Sequence, residues 1–382
     1  PNPGWSEQNP EDWINACKLA FLELRGNFPK EISKLKSIGV AGHMHGAVLL
    51  DNLNKPIRPC ILWNDTRSHE EAQRLDELPK VRDISGNIVF PGFTAPKLLW
   101  VKNNEPDLFK KIKTAVLPAS YLNTWLIGAA FADMSDCAGT SWLDVKLRKW
   151  SEHLIASGGM QIEQMPKLVE GNQIAGQIRS DLASELGFPK GVVIVGGAGD
   201  NAAAACGVGA INEGQGLLSL GTSGVLLISR DQCKPFPSAA VHTFCHAIPN
   251  KWYQMGVILS ATDSINWLSQ ISGKSASELD QLLPDEPTGP ANEKFFPYLS
   301  GERTPLNDAH IRAGFAGLGQ TSDLAKLTQC IMEGVSFALR DCLEAIRKTD
   351  ASPSSLLATG GGSVSQFWLQ TISNTLNIEI EK

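Results

Sequence analysis

Alternating strand and helix signals in both halves of the chain predict an α/β protein of two domains with a cleft between them. Three observations carry this expectation. The 382 residues amount to a little more than two domains at about 150 residues each. Apolar periodicity switches repeatedly between two and 3.6. Short β-branched runs end in glycine turns and give way to helices, most plainly in VVIVGGAGDNAAAACGVG around Asp200.

The first element reads as an amphipathic helix. Asn9 caps it, Pro10 takes the first helical position, and Trp13, Ile14, Cys17, Ala20, Phe21 and Leu24 recur at three and four, with Gly26 just past the end. The stretch KSIGVAGHMHGAVLLDNLNKPIRPCILWND holds β-rich runs at 38–41, 46–50 and 59–63, separated by Gly and by Asp51, Asn52 and Asn54 in turn positions. A charged helix over 66–78 follows, then a helix capped by Thr94, a strand at 115–117 and a helix near Tyr121 to Leu126. Residues 209–216 form a linker after the helix at Asp200, so the domains are expected over 1–210 and 211–382. The second opens on GLLSLGTSGVLLISR, a β-hairpin with Gly221, Thr222, Ser223 and Gly224 in its turn. Thr321 or Ser322 caps a long helix through Cys342, and a strand at 356–358 runs into Gly360, Gly361 and Gly362 before a last helix and the LNIEIEK strand. Trp13, Trp100, Trp267 and Trp368 fall among apolar neighbours and are expected in the core.

Lys plus Arg number 34 against 40 Asp plus Glu, a net charge of −6. That leaves no global basic footprint for nucleic acid or anionic lipid and favours a small-molecule or protein partner. Eight cysteines stand singly, without C-x-x-C pairs or zinc-type spacing, and read as reduced. No apolar run approaches about 18 residues, and PNPGWSEQNPEDW lacks the regions of a signal peptide. A cytoplasmic protein without a membrane partner is expected.

Glycine turns let a backbone approach a ligand and aim its N–H groups inward. The turn at 221–224 offers such donors plus two hydroxyls for nucleotide phosphates. The turn at 360–362 opens a helix, whose dipole presents its positive end there. A purely structural turn is the alternative for each. Gly273, Lys274 and Ser275 end like a Walker A motif, but Leu268 stands where its first Gly belongs, and neither G-x-G-x-x-G nor G-x-S-x-G fits. Asp200, past a strand and beside Asn201, could take a proton from a bound hydroxyl or simply cap its helix. His43 and His45 alternate on an expected strand and so face one side, as pocket hydrogen-bonders rather than metal ligands. Trp63, Asn64, Asp65 and Arg67 fit a surface turn with an Asp–Arg pair.

With those residues in hand, the chain resembles the FGGY carbohydrate kinases. The resemblance runs from about Ile38 to the C-terminus through GHMHGAVLLD, LWNDTR, GFTAPKLLW, MSDCAGTSWLD, GGAGDNAA, LSLGTSG, HTFCHAIPNKW, LSGERTP and TGGGS. It implies two ribonuclease-H-like, actin-like ATPase domains, the first holding sugar and the second ATP, which close around their substrates with magnesium. Asp200 matches the family's catalytic base, which takes the proton of a sugar hydroxyl as it attacks the γ-phosphate. Met44 and His45 match residues that hold the sugar, and Asn201 looks like a further contact. Gly221 and Thr222 match the second phosphate loop, and Gly360 and Gly361 the turn beneath the adenosine. No residue is matched to the metal. The Met-His-Gly and G-D-N-A-A versions together favour D-xylulose, phosphorylated at its 5-hydroxyl, over glycerol or gluconate. A homodimer is a family expectation.

The family's opening strand and Asp-x-Gly-Thr phosphate loop have no counterpart here, nor have the helices that follow the LNIEIEK strand. The chain therefore reads as part of a longer protein. By itself it is expected to be unstable or aggregation-prone and to lose most magnesium-dependent activity. The alternatives are an FGGY kinase for another ketose or polyol, a clamp-type ATPase serving a protein partner, and a non-catalytic sugar-binding fragment.

Overall fold

The computed structural model describes residues 2–382 and divides into two compact units. One runs to Ala204 and takes back Phe244–Lys251; the other comprises Ala205–Thr243 and Trp252–Lys382. The single boundary expected at about 210 thus has to be supplemented by a return segment. No helix among the described residues is long and apolar enough to cross a membrane, and all eight cysteines are free.

In the first unit, helix α1 (Pro10–Asn27) starts as its residues dictate. Asn9 accepts from the Glu11 N–H at 3.2 Å, Pro10 leads, and Glu11 and Asp12 sit at the positive end of the dipole. Gly26 lies inside the helix and does not end it. The stop comes at Phe28, whose N–H reaches Leu24 O at 2.7 Å, because Pro29 disfavours helical dihedrals in the residue before it.

Short strands follow: β1 (Ser37–Ile38), β2 (Ala41–Gly42) and β3 (Val48–Leu50). After helix α2 (Thr94–Asn104) come β4 (Thr114–Val116), helix α3 (Pro118–Ile127), β5 (Ile174–Gln177), β6 (Val193–Val195), β7 (Ala198–Gly199) and helix α4 (Asp200–Gly207). Strand β6 lies between antiparallel β5 and parallel β1, and β3 pairs antiparallel with β4. Parallel β7 and β2 set Ala198 opposite Ala41 and Gly199 opposite Gly42. Leu126, Phe131, Leu182, Leu186, Phe188 and Ile194 bury one apolar face against the others.

Two local expectations change here. Thr94 is the first residue of α2 and not its cap, because its hydroxyl is spent on His45 O at 3.1 Å. The Asp65–Arg67 pair is buried and not a surface turn. Two N–H···O bonds of 2.9 and 2.7 Å join the groups, and the guanidinium lies 3.7 Å from the Trp5 ring centroid, so the fork and its face are both satisfied.

The second unit is built on β8 (Gln215–Leu220), β9 (Gly224–Arg230), the first two residues of β10 (His242–Cys245), β11 (Trp252–Ile258), β12 (Ser355–Thr359) and β13 (Glu379–Glu381). They form one sheet in the order β10-β11-β9-β8-β12-β13. Strands β8 and β9 are the expected hairpin, with Leu220 opposite Gly224. Strand β12 runs parallel to both β8 and β13. The long helix (Leu324–Arg347) packs Ile331, Val335, Leu339, Cys342, Leu343 and Ile346 into the core. Each such side chain contributes about 1.5–3 kcal/mol of burial. Its cap is Asp323, which accepts from the Lys326 N–H at 3.0 Å; Ser322 instead donates its hydroxyl to Glu293. Of the tryptophans expected in the core, Trp368 is fully buried, while Trp13, Trp100 and Trp267 are half-buried against core clusters.

Candidate active site

In the first unit, the site forms where parallel β2 and β7 end side by side. The register brings Asp200, directly after Gly199, level with the chain that leaves Gly42 toward Met44 and His45. Ligand groups collect at such strand ends because adjacent parallel strands deliver their following loops to one edge. Two glycines seat the neighbouring side chains. A methyl group on Gly199 would stand 2.9 Å from Met44 Cγ, and one on Gly139 would stand 2.5 Å from the His45 ring. Met44 therefore lies against the residue that precedes Asp200, and His45 lies against the turn at 138–140.

Asp200 begins helix α4. Its Oδ1 accepts from the Asn201 backbone N–H at 2.7 Å and from the Asn201 side-chain amide at 3.0 Å. Solvent reaches the residue, yet the surrounding chain desolvates the carboxyl and pushes its pKa above the ordinary aspartate value, against the pull of the two Asn201 hydrogen bonds. A carboxylate held on one oxygen and raised in basicity is suited to taking a proton. The first role of Asn201 is thus to orient this carboxylate.

His45 occupies left-handed backbone, with φ 71°. Its ring stacks on Phe93 at 4.5 Å between centroids and 13° between planes, and Nδ1 lies 2.7 Å from Gly139 O. Phe244, from the return segment, lies 6.2 Å away. His43 and His45 do not share a face. The strand stops at Gly42, and the reversal at His45 sends the two rings to different neighbours, His43 standing edge-on to Trp13 at 5.7 Å. Burial, and then the Lys97 charge, lower the His43 pKa.

The second unit repeats the device. Parallel β8 and β12 place Ser219 opposite Thr359, so the turns at 221–223 and 360–362 leave adjacent strand ends. Gly360 has φ 90°, and a methyl group there would meet Leu220 O at 2.6 Å; only glycine admits this approach. The carbonyls of Gly221 and Thr222 accept from the N–H groups of Thr262 and Ala261 at 3.0 and 2.8 Å, which fixes the turn. The glycines do not open the α-helix directly as expected. They enter a short 3-10 turn, Gly361–Val364, and Ser365 caps the helix Gln366–Leu376 by accepting from Trp368 N–H at 3.1 Å. The helix dipole therefore begins a turn beyond Gly361.

Beside these glycines is a cavity of about 390 Å³ lined by Thr262, Ile265, Asn266, Ser277, Asp280, Met332, Gly361, Gly362, Val364 and Trp368. Its size and its mix of apolar walls with a few polar groups suit a nucleoside. Sequence reasoning found the glycines of this wall but not Thr262, Asn266, Ser277 or Asp280. Their one local signal is the helix start after β11; nothing in their spacing links them. Among the described residues, no three His, Cys, Asp or Glu side chains gather as a metal centre.

Known proteins share this fold. Residues 1–207 match the N-terminal domain of the FGGY family of carbohydrate kinases, and residues 216–382 its C-terminal domain. The chain is 40% identical over 380 residues to xylulose kinase of Escherichia coli K12, covering 98% of this chain and 77% of that one. A crystal structure of a xyloylose (xylulose) kinase from Brucella ovis superposes with a TM-score of 0.98 at 52% identity, over 100% of this chain and 78% of the other. Gluconate kinase from Lactobacillus acidophilus gives 0.90 at 25% identity, over 99% and 77%. With the glycine-seated Met44, His45 and Asp200 in one unit and paired glycine turns beside a nucleoside-sized cavity in the other, the chain belongs to the FGGY family of carbohydrate kinases and has its actin-like, ribonuclease-H-like fold.

Proposed function

We propose that the protein transfers the γ-phosphoryl group of ATP to the 5-hydroxyl of D-xylulose, giving D-xylulose 5-phosphate and ADP. The observation that carries this is the Asp200 carboxylate, oriented by Asn201 and adjoining Met44 and His45 at one strand edge. The names of the relatives support the choice of sugar. Asp200 takes the hydroxyl proton as the sugar oxygen forms its bond to the γ-phosphorus and the bond to the β-bridging oxygen breaks, releasing ADP. Met44, His45 and Asn201 hold the sugar in line, a contribution of positioning rather than covalent chemistry. Gly221 and Thr222 receive the phosphates, and Gly360 and Gly361 lie under the adenosine, Gly361 in the wall of the cavity. Magnesium, when bound with the nucleotide, would neutralise phosphate charge.

The test is a coupled assay of ADP release on the full-length protein with ATP and magnesium across D-xylulose, D-ribulose and glycerol. D-xylulose should be turned over with the highest kcat/KM, and Asp200→Asn should lose about 10²- to 10⁴-fold in kcat. Hydrolysis without sugar preference, or a fully active variant, would overturn the assignment. Light scattering on the same preparation tests the homodimer.

A further inference from the structure

Lys97 is fully buried, and among the described residues its amine has no carboxylate within ion-pair distance. Lysine is almost never fully buried unless paired, so the exception asks for a cause. Its partners are two backbone carbonyls: Gly92 O at 2.7 Å and His45 O at 2.9 Å. The Thr94 hydroxyl, one helical turn earlier on the same face of α2, donates to the same His45 oxygen at 3.1 Å. Two buried donors from one helix thus converge on one carbonyl.

That carbonyl belongs to the residue with the least comfortable backbone of the site. Left-handed dihedrals crowd the Cβ of a non-glycine residue, so His45 stays at φ 71° only if its surroundings hold it there. Held so, its ring stacks on Phe93 and meets Gly139 O. Phe93 immediately precedes Thr94, so the start of α2 supplies both the ring under the imidazole and the donors behind its backbone. Burial pulls the Lys97 pKa down to about 7; the titratable groups around it are the Cys60 thiol, itself pushed up to about 12 by burial, Asp65, Arg67 and His43. Even a neutral amine retains two N–H groups, enough for both carbonyls.

We propose that Lys97 is a positioning residue for the sugar: with Thr94 it clamps the His45 carbonyl and so fixes the imidazole in the pose that receives D-xylulose. This rests on His45 contacting the sugar, as proposed above. The experiment measures D-xylulose binding to the full-length protein by tryptophan fluorescence without nucleotide, alongside steady-state kinetics, for Lys97→Met, Thr94→Val, His45→Ala and Lys97→Met with His45→Ala. Lys97→Met should raise the sugar Kd and KM about tenfold, Thr94→Val about threefold. The KM for ATP and the kcat at saturating sugar should stay within about threefold. Because Lys97 acts through His45, the double variant should bind no worse than His45→Ala alone. Unchanged sugar affinity in Lys97→Met, additive losses in the double variant, or an equal rise in the KM for ATP would overturn the clamp while leaving the site intact. Unchanged affinity in His45→Ala would instead remove the underlying sugar contact, and the clamp with it. Should Lys97→Met fail to fold, Thr94→Val gives the same decision by its single and double variants with His45→Ala.

Discussion

Asp136 is fully buried, and among the described residues neither of its carboxyl oxygens has a hydrogen-bond partner. Burial first, then the charges of Asp133 and Asp200, push its pKa well above the ordinary aspartate value. Its neighbour Asp133 is spent differently, accepting from the Ser135 and Asp136 N–H groups at 2.8 and 3.1 Å, while the Ser135 hydroxyl accepts from Gly199 N–H at 3.0 Å. A group whose folded pKa is raised contributes stability that is complete below its unfolded value and is lost as pH rises toward the folded one. In Asp136→Asn that loss is absent. Its urea midpoint should therefore fall less than that of the unaltered protein as pH rises above the ordinary aspartate range; parallel pH profiles would contradict this. With Asp200 as the proposed base, the dependence runs the other way: kcat/KM should fall as pH drops through a carboxyl pKa above the usual aspartate value.

At the scale of elements, the two turns that would cradle nucleotide depend on strand register. Strands β8 and β12 end together, and Gly360 passes so close to Leu220 O that a side chain cannot be inserted. Gly360→Ala combines this clash with an unfavourable φ of 90°. It should cost about 2 kcal/mol in a denaturant melt and weaken ADP binding by calorimetry, whereas Gly361→Ala, which meets open space, should leave stability nearly unchanged. Capping followed sequence where a polar residue directly preceded an apolar period, as at Asn9. It shifted where competing polar residues lay close together. Asp323 won over Thr321 and Ser322 because a carboxylate accepts strongly from helix N–H groups while Ser322 found Glu293.

For the whole molecule, the return segment Phe244–Lys251 means that neither unit is one continuous stretch of chain. Within the first unit, Arg148 ties it down: the guanidinium donates to Lys251 O at 2.7 Å and His246 O at 3.3 Å and pairs with Glu170 at 2.6 Å. Phe244 then lies beside the His45 ring. Arg148→Met takes one donor from each carbonyl and the cation from the Glu170 carboxylate. It should cost roughly 3 kcal/mol, speed hydrogen exchange across 244–251 and raise the sugar KM without altering that for ATP. For the same reason, residues 1–207 expressed without the segment should melt well below the full chain in calorimetry.

The alternation of short strands and helices, the β8–β9 hairpin, the Asn9 cap and the glycine turns follow from local periodicity and backbone freedom, and these the amino-acid order determined by itself. So did the candidacy of Asp200, through a strand ending in glycines before a helix. Tertiary structure decided what no spacing encodes. Gly139 and Gly199 seat His45 and Met44 from distant parts of the chain, Phe244 returns to their unit, and Thr262, Asn266 and Asp280 meet around one cavity. It also buried Lys97, Asp136 and the Asp65–Arg67 pair, all of which look like surface residues when read locally. The physical reason is that a charged side chain's ordinary place is in water. Its burial is decided by partners, or their absence, supplied by chain folded against it from elsewhere.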